Sequence, residues 1–541
     1  MRVLGMTAIA IAGMVACSSD EESPSGSSGS GGSSASGGSG GSNAAGKGGT
    51  SGSGKGGSSG SSGSGSSGKG GQSGSGGSAS GAMGGEAGAN EGGTGGSSGA
   101  SGSAGTSGSS GSAGSAGTPG ECGAFATIED GLTPSREVFV DASATGPGDG
   151  SEADPYTELE AALGDAAPGT AIRIRPGTYA GGAFASGLAG TESEPIWIGG
   201  VPGEERPVIQ GGSNAIQLSA ASYLIVHDLE ITGQDSNGLN IDDAEVASGE
   251  AHHLVFRDLY IHDLGDGGNQ DCLKLSGIDD FIVLDSEFVG CSGGSAVDHV
   301  GCHRGIIARN TFRDLGGNGV QSKGGSDDIL ITQNTFIEAG QRAVNMGGST
   351  GFEFFRPVLS TSEPNYEARD IRVIANLFQG GISPIAFVGC VDCIAANNTV
   401  IDPVQWVFRI LQETTTADGY EFLPAQNGRF VNNVVYFSVG QLSTYVNVGG
   451  NTSPETFELA NNLWYAHDEP GQSEPSPLPV AENGGIYGMD PAFAGASGSD
   501  FHLTDTSPAA GAGVELSELS GDRDGVCYAS PPSLGAFELA P

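Results

Sequence analysis

The chain has 541 residues, of which 99 are Gly, 63 acidic and 21 basic, for a formal net charge of −42. From Glu121 onward 58 acidic side chains stand against 17 basic ones. A surface this negative repels phosphate backbones and argues against a nucleic-acid partner, while it suits divalent cations or an anionic substrate approached through a cation. Hydrophobic residues make up only 36%, below the roughly 45–50% of globular chains, and the deficit lies in one stretch. Between Ser23 and Gly120 nearly every residue is Gly, Ser or Ala, a composition that cannot bury enough apolar surface to offset its ordering entropy.

In chain order, residues 1–16 read as an export signal: Arg2 supplies the positive start, Val3 to Met14 an apolar run, and Met14-Val15-Ala16-Cys17 a cleavage region. The run is too short for a bilayer span, which takes about 20 residues. The small residues before Cys17 resemble a bacterial lipoprotein signal, with Met14 in place of the usual Leu. That resemblance implies lipidation of Cys17, export, and anchoring to the bacterial outer membrane or cell surface; the alternative is a plain secretory signal. Residues 17–120 then form a disordered Gly/Ser tether, whose root-mean-square reach is about 50–60 Å, and residues 121–541 the folded domain. Membrane contact is expected only through the lipid, and the domain is expected to be a monomer. Beyond Cys17 there are seven cysteines, so at least one stays unpaired. Cys122 and Cys527 flank the domain and are placed to close it end to end. Cys390-x-x-Cys393 has no second pair or nearby His to complete a metal site.

Within the domain, nine segments carry an alternating strand ending at an Asp- or Asn-centred turn, as in Ile225-Val-His-Asp228, Val255-Phe-Arg-Asp258, Ile331-Thr-Gln-Asn334 and Phe430-Val-Asn432-Asn433. The turns at 228, 258, 285, 310, 334, 376, 398, 433 and 462 approach a minimum spacing of 22–24 residues with longer insertions. Period-2 strands in units this short stack as an all-β parallel solenoid, one turn of the coil per unit. Asn suits a sharp corner and its amide can bond the Asn one coil above. Most of the chain from 136 to 541 resembles the pectate-lyase-like superfamily. Its opening (Val138-Phe-Val-Asp141, Ile172-Arg-Ile-Arg-Pro-Gly-Thr-Tyr179) and its end (Asp500-Phe-His-Leu-Thr504, Leu534-Gly-Ala-Phe-Glu538) also look like those of many secreted bacterial β-helix proteins. The resemblance implies a single-stranded right-handed parallel β-helix, with a helix near Tyr156–Leu163 covering its open N-terminal end.

Chemistry is then sought on an outward strand column. Lys274, Asp298, Gln321 and Asn345 are 24, 23 and 24 residues apart, one coil each, and alternation with Leu273, Leu275, Val297 and Val320 points the first three outward. Asp271, Ser295, Asn318 and Arg342 form a parallel row. The domain's only lysines, Lys274 and Lys323, fall on this face. Asp266, Asp271 and Asp298 are the candidate ligands of a Ca²⁺ ion, which takes 6–8 oxygens. Arg304 and Arg409 are placed with Gln321 and Asn345 to hold substrate, and the Gly347–Tyr366 insertion to wall a cleft. His299 should point into the core.

Calcium-dependent lyases of the resembled fold use a Lys or Arg base near clustered acids, and Asp271-Cys-Leu-Lys274-Leu is similar to such a strand. On that likeness Lys274 is the proton acceptor, and the carry-over stops there; Lys323 and Arg342, by their place on the same face, are charge-neutralising or positioning groups. A free Lys titrates near 10.4, so this role requires the cation. Paired-carboxylate hydrolysis is disfavoured, since alternation should split Asp242-Asp243 and Asp279-Asp280 between faces. Two functions therefore stand side by side. One is a surface-tethered lyase cleaving an acidic uronate polysaccharide by β-elimination, and the other a non-catalytic glycan-binding or adhesion β-helix.

Overall fold

The computed structural model describes residues 122–539 except 245–250, 266–267 and 443. The signal segment, Cys17, the Gly/Ser stretch and Asp266 lie outside the described residues. From Arg136 the chain runs repeatedly through three parallel sheets of 13, 12 and 10 strands, the expected β-helix. One coil shows the pattern: His303–Ala308 in the first sheet, Thr311–Leu315 in the second, Asn318–Lys323 in the third, then Ser326–Thr332 back in the first. Each strand pairs in parallel with its equivalent one coil on.

Alternation decides which side chains fill the interior. Phe288, Phe312, Phe336 and Phe378 repeat at the middle of second-sheet strands, so their rings stack at 5.1, 4.7 and 4.8 Å along the axis, the coil repeat itself. All four are at most 1% exposed. A helix, α1 (Leu159–Asp165), buries Leu159, Ala162 and Leu163 and packs against the first coil's strands, close to its expected position.

The corner between first and second sheets carries the asparagine ladder. Asn310 gives its backbone N–H and its Nδ2 to Asn334 Oδ1 at 2.9 and 3.1 Å, and Asn334, Asn376, Asn398 and Asn433 repeat this toward the next coil. The ladder ends on a carboxylate: Glu482 Oε1 accepts from Asn462 N–H and Nδ2 at 3.1 and 2.8 Å. One register is corrected. The left-handed residue of the corner is Asp228, Asp258, Asp285, Arg309, Gln333, Ala375, Asn397, Asn432 or Asn461, all with φ between 49° and 59°. The ladder position is the next residue, so the sequence column running from Asp285 to Asn310 mixed two adjacent positions. In Asn397-Asn398 and Asn432-Asn433 the two amides do different work: the first of each pair bonds the returning C-terminal segment, at Ser533 O and Val514 O.

Both ends of the described segment lie against the outside of the coils. Residues 122–132 run along the first sheet, where Glu129 accepts from Trp197 Nε1 at 2.9 Å and Arg257 Nε at 2.6 Å. The C-terminal segment returns over the second sheet, where Phe501, Ala536 and Phe537 pack on Leu377 and Ile401, and Gln333 Nε2 donates to Asp522 O at 2.8 Å. The ends are joined by a Cys122–Cys527 disulfide spanning 405 residues, the closure expected from their positions. Cys272 pairs with Cys291 and Cys390 with Cys393, which leaves Cys302 buried and reduced.

Candidate functional site

The third sheet puts one outward side chain per coil into a continuous register: Phe184, Gln217, Asn240, Lys274, Asp298, Gln321, Asn345, Ala386, Arg409, Asn447. The four-residue column read from spacing is its middle. Gln217 and Asn240 were legible in the same way, because Ile216-Gln217-Leu218 and Leu239-Asn240-Ile241 repeat the apolar–polar–apolar pattern of Leu273-Lys274-Leu275. A second polar row stands three residues earlier and braces the first. Asn237 Nδ2 donates to Asn240 Oδ1 at 3.3 Å, Asn318 Nδ2 to Gln321 Oε1 at 3.1 Å, and Arg342 Nη1 to Asn345 Oδ1 at 3.3 Å. Amides fixed in this way present both donors and acceptors.

At the centre, Lys274 and Lys323 converge as expected, but on a carboxylate. Asp298 Oδ2 bonds Lys274 Nζ and stands 3.2 Å from Lys323 Nζ, while Asp271 Oδ2 is 3.3 Å from Lys274 Nζ. Asp271 and Asp298 are each 1% exposed, and the lysines 16% and 13%. Alternation points Lys274 outward, yet neighbouring coils cover it almost entirely. Burial and the Asp298 charge push Asp271 up to about 6. Burial disfavours the charge on Lys274 too, but Asp298 and Asp271 outweigh it and hold its titration above the ordinary lysine range. The two lysines outweigh burial at Asp298, which stays below the usual carboxylate range.

This donor set does not fit Ca²⁺, which needs 6–8 oxygens, because Lys274 Nζ already bridges the two carboxylates and Lys323 Nζ lies against Asp298. Among the described residues no three His, Cys, Asp or Glu side chains converge to hold a metal ion. His299, expected inside, is fully buried against Ser322 Oγ at 2.8 Å, and burial drops it to about 3.

Arg304 is not part of this face. It lies in the first sheet, bonded to Asp280 at 2.8 and 3.0 Å and within 3.2 Å of Asp279. Asp279 and Asp280 were expected to split between faces. Instead Asp280 adopts φ +55°, a left-handed kink repeated one coil away at His253 and Arg304, and both carboxylates reach Arg304.

Farther along the column, fully buried Ala386 is followed by Arg409, while Arg342 stands in the second row beside Asn345. Arg409 lies over the Trp406 ring at 4.1 Å and donates from Nε to Asn447 Oδ1 at 3.0 Å; Arg342 Nη2 pairs with Glu413 Oε1 at 2.7 Å. The insertion after Gly347 walls one edge, as expected. Its Phe352, Phe355 and Leu359 form a small core with Tyr420 and Phe422 of the next insertion. Buried Glu367 fixes it by accepting from Gly324 N, Thr350 N and Thr350 Oγ1 at 2.9, 3.0 and 2.8 Å. A side chain at Gly348 would stand 2.5 Å from Gln321 Nε2, which shows how closely this wall approaches the column. On the opposite edge an open cavity of about 360 Å³ is lined in part by Leu315, Gln341 and Val404.

Fold and face together define a β-helix with one polar, braced and partly walled sheet. No protein-family model and no curated protein matches the chain. Solved structures do. The pectate lyase Pel9A has a TM-score of 0.47 at 16% identity, covering 76% of this chain and 99% of its own. An alginate lyase from Paenibacillus sp. str. FPU-7 has 0.38 at 18%, covering 65% and 99%. A rhamnogalacturonan lyase has 0.40 at 14%, covering 60% and 87%. At these identities the likeness is one of fold.

Proposed function

We propose that the protein is a carbohydrate-binding β-helix, exported and held on an N-terminal lipid tether, that lays an acidic polysaccharide along the outer face of its third sheet. The observation that carries this reading is the outward polar column from Gln217 to Gln321, in which Gln217, Asn240, Lys274 and Gln321 stay partly exposed; Asn345, expected to hold substrate, is fully buried beyond it. The column's amides are immobilised by their neighbours, so binding a sugar hydroxyl costs little side-chain entropy. The test is binding of the full chain to a panel of uronate and neutral polysaccharides, with Asn240→Ala and Gln321→Ala each expected to weaken retention several-fold. Wild-type binding that neither substitution alters would remove the face assignment.

A second reading, β-elimination of a uronate polymer, is favoured by one observation: Asp271, near 6, sits beside Asp298, held low, and such divergent pairs mark acid–base sites. In that reaction a base takes the proton beside the sugar carboxylate, the glycosidic C–O bond breaks, and a carbon–carbon double bond forms. Lys274, held charged, suits neutralisation of the carboxylate and not proton abstraction, and the acids beneath it are covered. Ultraviolet absorbance from unsaturated products would establish the reaction; its absence across the panel leaves binding as the function.

A further inference from the structure

Among the described residues only two Phe, Tyr or Trp side chains are exposed, Phe184 at 48% and Phe354 at 62%. Phe354 belongs to the insertion, whereas Phe184 belongs to the third sheet itself, as the first outward side chain of the column and in register with Gln217. Alternation sends position 184 outward, and a phenyl ring there leaves about half of its surface in water. A Cβ built at Gly182 or Gly187, on either side of the strand, would meet no atom within 4 Å beyond its own chain neighbours, so the approach to the strand is open. One coil on, Gln217 Oε1 accepts from Asn214 Nδ2 at 3.4 Å and its Nε2 donates to Asp242 Oδ2 at 3.3 Å; two coils on, Asn240 Oδ1 accepts from Asn237 Nδ2 at 3.3 Å. Both amides spend part of their capacity on these braces and remain partly exposed, with donor and acceptor positions left over. The strands Ala183–Ser186, Ile216–Ser219 and Leu239–Asp242 carry one ionisable side chain among them, Asp242. The first cation of the column is Lys274, three coils from Phe184. A lone exposed phenyl is ordinary on a protein surface. One that heads a row of braced amides offers an apolar face to the C–H groups of a sugar ring and fixed partners to its hydroxyls.

We infer that Phe184, Gln217 and Asn240 form a subsite for uncharged sugar, in which the Phe184 ring is the stacking platform and the two amides take the hydroxyls. This rests on the third-sheet face being the polysaccharide site, and it narrows the ligand: an acidic polysaccharide held here carries neutral units as well. A carboxylate over these three coils would meet Asp242 and the domain's acidic excess with no cation on the strands beneath it. Phe184 to Asn240 spans two coils, about 10 Å, so the subsite grips a short stretch of the sugar chain at the N-terminal end of the face.

The test is affinity electrophoresis of the full chain in gels containing polygalacturonate or alginate, each in native form, with half of its carboxyls reduced to alcohols, and with all of them reduced. The wild type is expected to be retained more by a half-reduced polymer than by its native form. Phe184→Leu keeps apolar bulk and loses the ring face. It is expected to weaken retention on that polymer about tenfold, with a melting temperature within about 2 °C of wild type. Phe184→Trp should keep the affinity, and its added indole emission should shift to the blue when the half-reduced polymer binds. Strongest retention on a fully reduced polymer supports the neutral subsite and removes the acidic character of the ligand. A Phe184→Leu variant retained as strongly as wild type, a Phe184→Trp variant as weak as Phe184→Leu, or a wild type that prefers native polyuronate to both reduced forms overturns the subsite while leaving the face intact. If no polymer retains the wild type, the face reading falls and the subsite with it.

Discussion

Lys274 shows how far a side chain's surroundings override its direction. It points outward, yet it is 16% exposed and neutralises two carboxylates that are 1% exposed. Removing one partner of a buried ionic cluster leaves charge without compensation, at a cost of about 3–5 kcal/mol. Lys274→Ala should therefore lower stability by about 3 kcal/mol in chemical denaturation, whatever it does to binding; a change within 0.5 kcal/mol would mean the cluster is solvated. The pH dependence follows from Asp271. Its folded pKa of about 6 lies above the unfolded value near 3.9, so the folded state holds the proton more tightly. The stability this contributes is complete below about pH 4 and is lost as pH rises through 6. Asp298 is shifted the opposite way, so the comparison must isolate Asp271. The melting-temperature difference between Asp271→Asn and wild type should move in the variant's favour from pH 4 to pH 7.

At the scale of elements, stability is concentrated at one corner. Asn398 accepts from Asn376 N–H and Nδ2 at 3.0 and 3.1 Å, and donates to Val373 O and Asn433 Oδ1 at 2.9 and 3.0 Å. Asn398→Ala strands buried donors and acceptors, each worth about 1–3 kcal/mol when unmet, so unfolding should move by about 3 kcal/mol or more. Asn240→Ala, on the half-exposed face, should cost about 0.5 kcal/mol. Denaturation midpoints compare them directly. Period and coil length made the solenoid and the 24-23-24 column legible in the sequence, because alternation and repeat are local. The off-by-one at Asp228, Asp258 and Asp285 arose because Asp and Asn suit both the left-handed corner and the ladder. The burial of Asp298 and Asn345 and the pairing of Arg304 depend on what lies one coil away, which no strand's own sequence states.

For the whole molecule, the Cys122–Cys527 bond restrains the unfolded chain over 405 residues, worth roughly 6 kcal/mol in the chain-entropy account. A Cys122→Ser, Cys527→Ser double variant should melt well below wild type, with hydrogen exchange rising first in the terminal arms; equal protection there would show that packing alone holds them. Cys17→Ser should shift the protein from the membrane to the soluble fraction, and retention in the membrane would remove the lipoprotein reading.

The bond also fixes a length. The N-terminal arm is seated on coils at Trp197, Arg257 and Arg309, and the returning segment on coils at Gln333, Thr399 and Asn432. Adding one coil between such contacts would displace the cysteines from each other by about 4.8 Å, more than the narrow window of Cα separations a disulfide tolerates. Repeat proteins ordinarily drift in length by gaining and losing units. Here the two arms act as a ruler, so descendants of this chain are free to vary their loops while the number of coils between these contacts is held constant.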